Sequence, residues 1–233
     1  MSMYVEQTKV RKFLSRKINQ LNDIIADLDT LVNELGHDFY RVCIFGSARI
    51  KPGTSDYQQV YKLAKGLAEL GADIVTGGGP GLMEAANRGS RDGSSETRSI
   101  GLPIELPFEA DANSHLDMSY HHRKFSSRLD DFMRLSHAVV ITPGGIGTLL
   151  ELLYTWQLMQ VGHIQPRPVL LLGDHQMWDG FLDWMKKEPT RRGLMDLKDL
   201  DMVRVVKDVE EVLSILSPSI KKFEPANHKK KKS

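Results

Sequence analysis

One stretch of the chain combines glycines, a hydroxyl and a carboxylate at a spacing suited to holding a phosphate. It runs from Pro143 to Glu151 and reads PGGIGTLLE. Glycine lets backbone N–H groups approach an anion closely, and a helix beginning at or near Gly147 would add the positive end of its dipole. Thr148 would then lie in the first turn, where its hydroxyl can join the amides. Glu151 follows three residues later on the same face, about where the sugar of a bound nucleotide would lie.

Two further glycine turns follow short apolar runs that are typical of strands. They are Gly46-Ser47-Ala48-Arg49 and Gly77-Gly78-Gly79-Pro80-Gly81. In an open parallel sheet, ligands bind beyond the carboxyl ends of the strands, so we expect the three turns to converge on one crevice. A structural strand-to-helix turn also favours glycine, but two glycine clusters on separate strands favour a phosphate-bearing ligand.

The motifs that are missing narrow the kind of phosphate ligand. The dinucleotide pattern GxGxxG would need glycine where the chain has Leu82 or Glu84, and the triphosphate loop GxxxxGK[ST] does not occur. NAD, FAD and ATP-driven chemistry are therefore disfavoured, and a monophosphate remains. The single cysteine, Cys43, excludes a multi-cysteine zinc site, and the histidines lack HExxH or a comparable spacing. We expect no metal, and Cys43 is interpreted as a small buried hydrophobe.

The elements that position these turns alternate in type from residue 40 onward. Helical stretches separate predicted strands at 41–45, 72–76, 97–106, 138–142, 168–172 and 202–206. Strands that are continuously apolar and alternate with helices indicate a parallel sheet covered on both faces. The predicted fold class is α/β, a Rossmann-like doubly wound parallel sheet with an added N-terminal helix.

The two ends of the chain differ from this central region, which gives three predicted parts. They are an N-terminal helical arm at 1–38, a Rossmann-like nucleotide-binding catalytic domain at 39–217 and a disordered basic tail at 218–233. The tail includes Lys229 to Lys232. Such a run can touch nucleic acid or anionic lipid, but it lacks aromatic residues and an amphipathic pattern. We therefore interpret it as a solvated terminus and expect no nucleic-acid partner.

The predicted arm carries apolar residues spaced alternately by four and three, which places them on one stripe of a helix. These residues are Leu14, Ile18, Leu21, Ile25, Leu28, Val32 and Leu35. Basic residues fill its first half and acidic residues its second, so two antiparallel copies would pair opposite charges. The stripe suggests a subunit-pairing arm; the alternative is a helix lying on the protein's own body.

The sequence contains no sign of a membrane segment. No apolar run approaches the roughly 18 residues that a transmembrane helix needs. The first residues include basic side chains but no following apolar stretch of the kind a secretory signal has. A cytoplasmic protein without a membrane partner is expected.

Three segments together resemble the LOG (Lonely Guy) family of nucleoside 5′-monophosphate phosphoribohydrolases, often mislabelled as lysine decarboxylases. The segments are Gly77–Gly89, Ile100–Glu109 and Pro143–Glu151, and the resemblance covers about residues 40–215. It implies hydrolysis of the N-glycosidic bond of AMP or of cytokinin riboside monophosphates, giving free base and ribose 5-phosphate. It further implies that no metal or redox cofactor is needed and that the protein works at least as a homodimer. The lysines lie mainly on helical faces and at the chain ends, which argues against a pyridoxal-phosphate decarboxylase.

The resemblance also implies a functional arginine fifteen residues before Pro143, and that position is Arg128. Many members carry Arg-Lys there, whereas here Leu129 follows and an Arg123-Lys124 pair occurs five residues earlier. Spacing favours Arg128 and dipeptide identity favours Arg123. We predict that Arg128 acts with Glu151 as the catalytic pair, because a carboxylate stabilises positive charge on the ribose while a cation assists the leaving base or fixes the phosphate.

The remaining predicted site residues are expected to bind the substrate. We predict that the amides of the Pro143–Thr148 turn and the Thr148 hydroxyl hold the 5′-phosphate and that other residues border the sugar and base. The resemblance implies that the serine after the first strand touches the nucleotide; the alternative is a serine that only forms the turn. These residues are Gly144, Gly145, Gly147, Thr148, Gly78, Gly79, Met83, Glu84 and Ser47. The alternative is a non-catalytic sensor that holds a nucleotide or phosphosugar. The Thr148-to-Glu151 spacing favours the enzyme, since a sensor has no need for a carboxylate beside an anion.

Overall fold

The computed structural model describes residues 10–21, 24–25, 39–105, 112–173 and 175–223. The chain divides into two compact units, one of residues 1–38 and 224–233 and the other of Phe39–Phe223. In the first unit, residues 10–21 and 24–25 are helical, and their stripe residues Leu14, Ile18, Leu21 and Ile25 are exposed. The rest of the predicted arm and Lys229 to Lys232 lie outside the described residues, so subunit pairing by the arm stays a prediction.

The second unit contains seven strands and six α-helices in the part of the chain that is described. The strands are β1 (Tyr40–Phe45), β2 (Ala72–Thr76), β3 (Ser99–Gly101), β4 (Met118–Ser119), β5 (Ala138–Ile141), β6 (Val169–Leu172) and β7 (Arg204–Val206). The helices are α1 (Ser55–Glu69), α2 (Leu82–Gly93), α3 (Phe125–Leu135), α4 (Ile146–Gln160), α5 (His175–Met185) and α6 (Val209–Lys221). A π-helical turn (Lys186–Thr190) and a 3₁₀ helix (Leu197–Met202) lie between α5 and β7. No helix among the described residues is both long enough and apolar enough to cross a membrane.

All seven strands pair in parallel, in the order β4-β3-β2-β1-β5-β6-β7. The predicted doubly wound α/β fold is confirmed. Strands β1, β2, β5 and β6 are buried along their whole length, which explains why their sequences are almost continuously apolar. The first strand lies in the middle, and the chain builds the sheet outward on one side of it and then on the other. The order therefore reverses between β1 and β5, the position at which open α/β sheets bind ligands.

Two predicted boundaries differ from the structure, and one strand was not predicted. The strand expected at 97–106 is only Ser99–Gly101 where it is described, because Pro103 has no N–H to donate to a sheet. Strand β4 was not expected, since two residues carry no periodic signal. Helix α6 continues to Lys221, beyond the predicted start of the tail at 218; burial of Ile220 stabilises the helix past Pro218.

Candidate active site

A cavity of about 500 Å³ lies at the carboxyl ends of β1, β2 and β5. The three glycine turns meet there, as the sequence predicted. Its polar or glycine-bearing lining comprises Gly46, Ser47, Arg49, Gly77, Gly79, Arg128, Gly145, Gly147, Thr148 and Glu151. Apolar side chains, among them Met83, Phe125 and Ile146, complete the walls. The volume is that of an ordinary small-molecule site.

One end of the cavity is formed by the beginning of α4. Gly145 is the N-cap residue, and no side chain of the described residues caps the helix by a hydrogen bond. The first-turn N–H groups are therefore available to an anion, and the helix dipole favours negative charge there. A Cβ atom on Gly144 would clash with the Oγ1 of Thr148. Glycine at 144 is what allows the buried Thr148 hydroxyl to lie under the turn.

The cavity lining also includes a largely buried pair of opposite charges. Nη1 of Arg128 lies 4.0 Å from Oε1 of Glu151, and their side chains are 12% and 14% exposed. Nε of Arg128 donates a 2.6 Å hydrogen bond to the carbonyl of Leu102, and Nη2 donates a 3.4 Å bond to the carbonyl of Gly77. The guanidinium also lies over the ring of Phe132, 5.2 Å from its centre. Helix α3 and two loops thus hold the arginine in one orientation toward Glu151.

Burial changes the acidity of the Glu151 carboxyl. Desolvation raises its pKa to about 7, although the positive charge of Arg128 acts in the opposite direction. Near neutral pH, the carboxyl of Glu151 is therefore divided between its two protonation states. A carboxyl in this condition is suited to accepting and returning a proton.

The two candidate arginines lie in different environments. Arg123 is 70% exposed and pairs at the surface with Glu105, with Nε 3.7 Å from Oε2. Arg128 lines the cavity beside Glu151. Sequence spacing, rather than dipeptide identity, indicated the arginine that faces the cavity.

Not all of the predicted site residues line the cavity. Ser47, Gly79, Met83, Gly145, Gly147 and Thr148 do, together with Arg128 and Glu151, but Gly78, Glu84 and Gly144 do not. The backbone of Gly78 adopts a positive φ of 74°, and its carbonyl accepts a hydrogen bond from Asn113. Glu84 lies near Tyr57, where it adds to burial in raising the pKa of the tyrosine hydroxyl. Adjacent residues on a helix point about 100° apart, so Met83 rather than Glu84 lies against the cavity.

Sequence reasoning missed one charged residue of the lining. Arg49 ends the first glycine turn and lines the cavity; its position in that turn was the available signal. One histidine, His122, is buried outside the cavity lining, with Nε2 3.5 Å from Oδ2 of Asp131. Burial lowers the pKa of His122 to about 4. Among the described residues, no group of three or more His, Cys, Asp or Glu could hold a metal ion.

Comparison with known proteins identifies the class to which this fold and cavity belong. The family model described as "Possible lysine decarboxylase" matches residues 83–216, more than half of the chain. The chain therefore belongs to that family, the same LOG family that its glycine motifs resemble.

Particular relatives carry more specific names. The chain is 35% identical over 159 residues to the probable cytokinin riboside 5′-monophosphate phosphoribohydrolase LOGL5 of rice, covering 64% of this chain and 60% of the relative. It is 33% identical over 124 residues to the pyrimidine/purine nucleotide 5′-monophosphate nucleosidase of Escherichia coli K12, covering 50% of this chain and 27% of the relative. The chain thus spans less than two thirds of the length of each.

Solved structures support the fold. The molybdenum cofactor carrier protein of Chlamydomonas reinhardtii has a TM-score of 0.58 and 20% identity, covering 79% of this chain and 99% of that one. At this identity the likeness concerns the fold alone.

Proposed function

We propose that the protein hydrolyses the N-glycosidic bond of nucleoside 5′-monophosphates of the AMP or cytokinin riboside monophosphate type. The products are the free base and ribose 5-phosphate. The observation that carries this proposal is the Arg128–Glu151 pair, buried beside the open first turn of α4 in one cavity. The printed names of the relatives support the same reaction.

The 5′-phosphate is bound at the start of α4 in this proposal. Gly145, Gly147 and Thr148 line that end of the cavity, and Thr148 adds a hydroxyl to the amides. Ser47 and Gly79 lie on the facing turns and border the nucleotide. Because the phosphate is anchored at one end of the cavity, the ribose extends toward Glu151, which lies about one turn further along α4.

Glu151 and Arg128 then act on the bond between C1′ and the base nitrogen. As this bond breaks, its electron pair leaves with the base and positive charge develops on the ribose. Ionised Glu151 stabilises that charge and accepts a proton from the water that attacks C1′. The proton is finally transferred to the base, and a carboxyl with a pKa of about 7 can return it. Arg128 offsets the negative charge on the departing base and keeps Glu151 in place.

Association of two copies at the cavity rim is also part of the proposal. Ile146, Leu150 and Leu153 form an exposed apolar stripe on α4, and Phe125 is exposed on α3; Ile146 and Phe125 also line the cavity. Such a patch is typical of a protein interface. A second copy of the chain that covers this patch would border the site.

Sedimentation analysis tests whether two copies associate through the patch. We expect the wild type to be at least a dimer and Leu153→Glu to weaken the association. A monomeric wild type would contradict the proposal.

Base release measured by chromatography tests the reaction. The purified protein is incubated with AMP, GMP, CMP, UMP and N6-prenylated AMP, with Glu151→Gln as the control. Base released by the wild type and not by Glu151→Gln supports the proposal and ranks the substrates. Thermal stabilisation by one nucleotide without release of base would instead identify a nucleotide sensor.

A further inference from the structure

Asn113 holds the glycine turn after β2 and does not itself line the cavity. Its backbone N–H donates to the carbonyl of Gly78 at 2.8 Å. Its side-chain Nδ2 donates to the carbonyls of Gly78 and Gly79, both at 3.0 Å, and to Oδ1 of Asn87 at 2.9 Å. One side chain therefore fixes two consecutive carbonyls of a turn in which Gly78 has a left-handed conformation.

A buried polar network supports this contact. Thr76 Oγ1 accepts from the N–H of Gly78 at 2.9 Å and donates to Oδ1 of Asn87 at 2.7 Å. Nδ2 of Asn87 donates to Oγ of Ser99 at 3.0 Å. Thr76, Asn87 and Ser99 are fully buried. Because these polar groups are all paired inside the protein, the network rigidifies the turn.

The Gly77–Gly79 turn contacts Arg128, the arginine of the proposed reaction. Gly77 and Gly79 line the cavity, and the carbonyl of Gly77 accepts a hydrogen bond from Nη2 of Arg128. A change in the orientation of Gly78 would move the neighbouring Gly77 carbonyl. Nη1 of the same guanidinium is the group nearest Glu151.

We propose that Asn113 is a positioning residue that sets the orientation of Arg128 toward Glu151 through the Gly77–Gly79 turn. The inference rests on the proposed function for its catalytic consequence. Asn113 has no contact with the substrate in this proposal, because it is not among the residues that line the cavity.

An asparagine is required at this position because both ends of its amide are used. Oδ1 accepts from the N–H of His115 at 3.0 Å, while Nδ2 donates to the turn. An aspartate of nearly the same shape would direct a charged oxygen at the carbonyls of Gly78 and Gly79 and at Oδ1 of Asn87. Repulsion among oxygens would then displace the turn without any change in side-chain volume.

The experiment compares Asn113→Asp and Asn113→Ala with Asp117→Ala. Asp117 lies in the same segment and accepts from the backbone N–H of Ser99 at 2.8 Å. It therefore touches the network only through a main-chain group of Ser99, and no side-chain hydrogen bond found among the described residues joins it to Gly77, Gly78 or Gly79. We expect kcat on AMP to fall about tenfold to a hundredfold in both Asn113 variants, with KM changed less than about threefold, since misplacement of about 1 Å has costs of this size. Asp117→Ala should lower thermal stability and keep the wild-type kcat. Wild-type kcat in a folded Asn113→Ala, or an equal loss of kcat in Asp117→Ala, would overturn the proposal.

A second measurement does not depend on turnover. The Nε–H resonance of Arg128, which donates to Leu102, reports the position of the guanidinium. It should shift in both Asn113 variants and not in Asp117→Ala, and an unmoved resonance overturns the positioning role. A wild type that releases no base from any nucleotide overturns the proposed function, and the resonance still decides the role of Asn113.

Discussion

Two cavities of similar size lie at opposite ends of the parallel strands, and they differ in what their polar groups do. The cavity described above measures about 500 Å³. The second, about 530 Å³, lies near the amino ends of β6 and β7 and is lined by Met159, Pro166, Pro168 and Met202 among others. Two arginines also line it. Nη1 of Arg167 donates to the carbonyl of Met133 at 2.7 Å, and Arg204 pairs with Glu211.

The comparison shows that volume alone does not mark a functional site. In the second cavity both arginines bind groups of the protein itself, so their charge supports the surrounding structure. In the first, a helix start is left without a side-chain cap and a carboxyl is buried at the cost of a raised pKa. An uncapped helix start and a buried carboxyl both lower stability, and their presence in one cavity is what we expect of a binding or catalytic site.

The largest expected effect comes from removing the acidic group of the first cavity. We expect Glu151→Gln to lower kcat on the preferred nucleotide by about a thousandfold, in the range found for acid–base groups, with little change in KM. Gln keeps the shape of the side chain but can neither ionise nor accept the water proton. Steady-state kinetics of base release measures the effect. A variant within tenfold of the wild type would mean that Glu151 has no catalytic role.

Removing the positive partner should have a smaller effect. Arg128→Ala is expected to lower kcat/KM by about a hundredfold, because one preorganised charge is lost from the site. Arg123→Ala is the matched control, since it removes an exposed arginine five positions away that pairs with Glu105. Its kcat/KM should stay within about twofold of the wild type. The reverse ranking would assign the function to Arg123.

The pH dependence of activity should follow the ionisation of Glu151. With a pKa of about 7 for Glu151 in the free protein, kcat/KM should rise about tenfold between pH 6 and pH 8 as the carboxylate forms. The pH profile of base release measures this, and a flat profile over that range would contradict it.

The stability of the folded protein should change in the opposite direction. The raised pKa of Glu151 means that its protonated form favours folding; this contribution is fully present below the ordinary pKa of a glutamate and is lost as pH rises through 7. Urea unfolding at pH 5 and pH 9 should therefore show Glu151→Gln gaining stability relative to the wild type at the higher pH. An equal difference at both pH values would contradict burial as the cause.

The smallest effect is expected at the second cavity. Arg204→Ala removes its exposed ion pair with Glu211 and should leave kcat and KM within about twofold of the wild type. The same base-release assay checks this. A large loss of activity would show that the two cavities are coupled and that Arg204 does more than support the surrounding structure.

Much of the fold was predictable because its signals are local. Buried parallel strands are apolar along their whole length, so β1, β2, β5 and β6 stood out in the sequence. The spacing from Pro143 to Glu151 predicted a helix start close to the one observed at Ile146, and it predicted that Thr148 and Glu151 share one face. Arg128 was indicated by the resemblance to the LOG family, which implies an arginine fifteen residues before Pro143.

The features that were not predictable depend on contacts between distant residues. Gly78 was expected to face the ligand, but its orientation is set by Asn113, thirty-five residues further along. Met83 and Glu84 are equally plausible by type, and only the direction of α2 decides which one faces the cavity. The buried contact between His122 and Asp131 likewise joins residues of two different elements, and no local pattern marks it.

The strand order affects how the protein forms during its synthesis. β1 is made before the other six strands of the described sheet and lies at its centre, but its register with β5 pairs Val42 with Ala138, ninety-six residues later. At about 5–20 residues per second, a ribosome needs roughly 5–20 s to make the intervening chain. During that time one edge of β1 has no partner strand, and the wall of the cavity that α4 supplies does not exist. The cavity, and with it the proposed phosphate site, is therefore complete only after β5 and α4 have emerged.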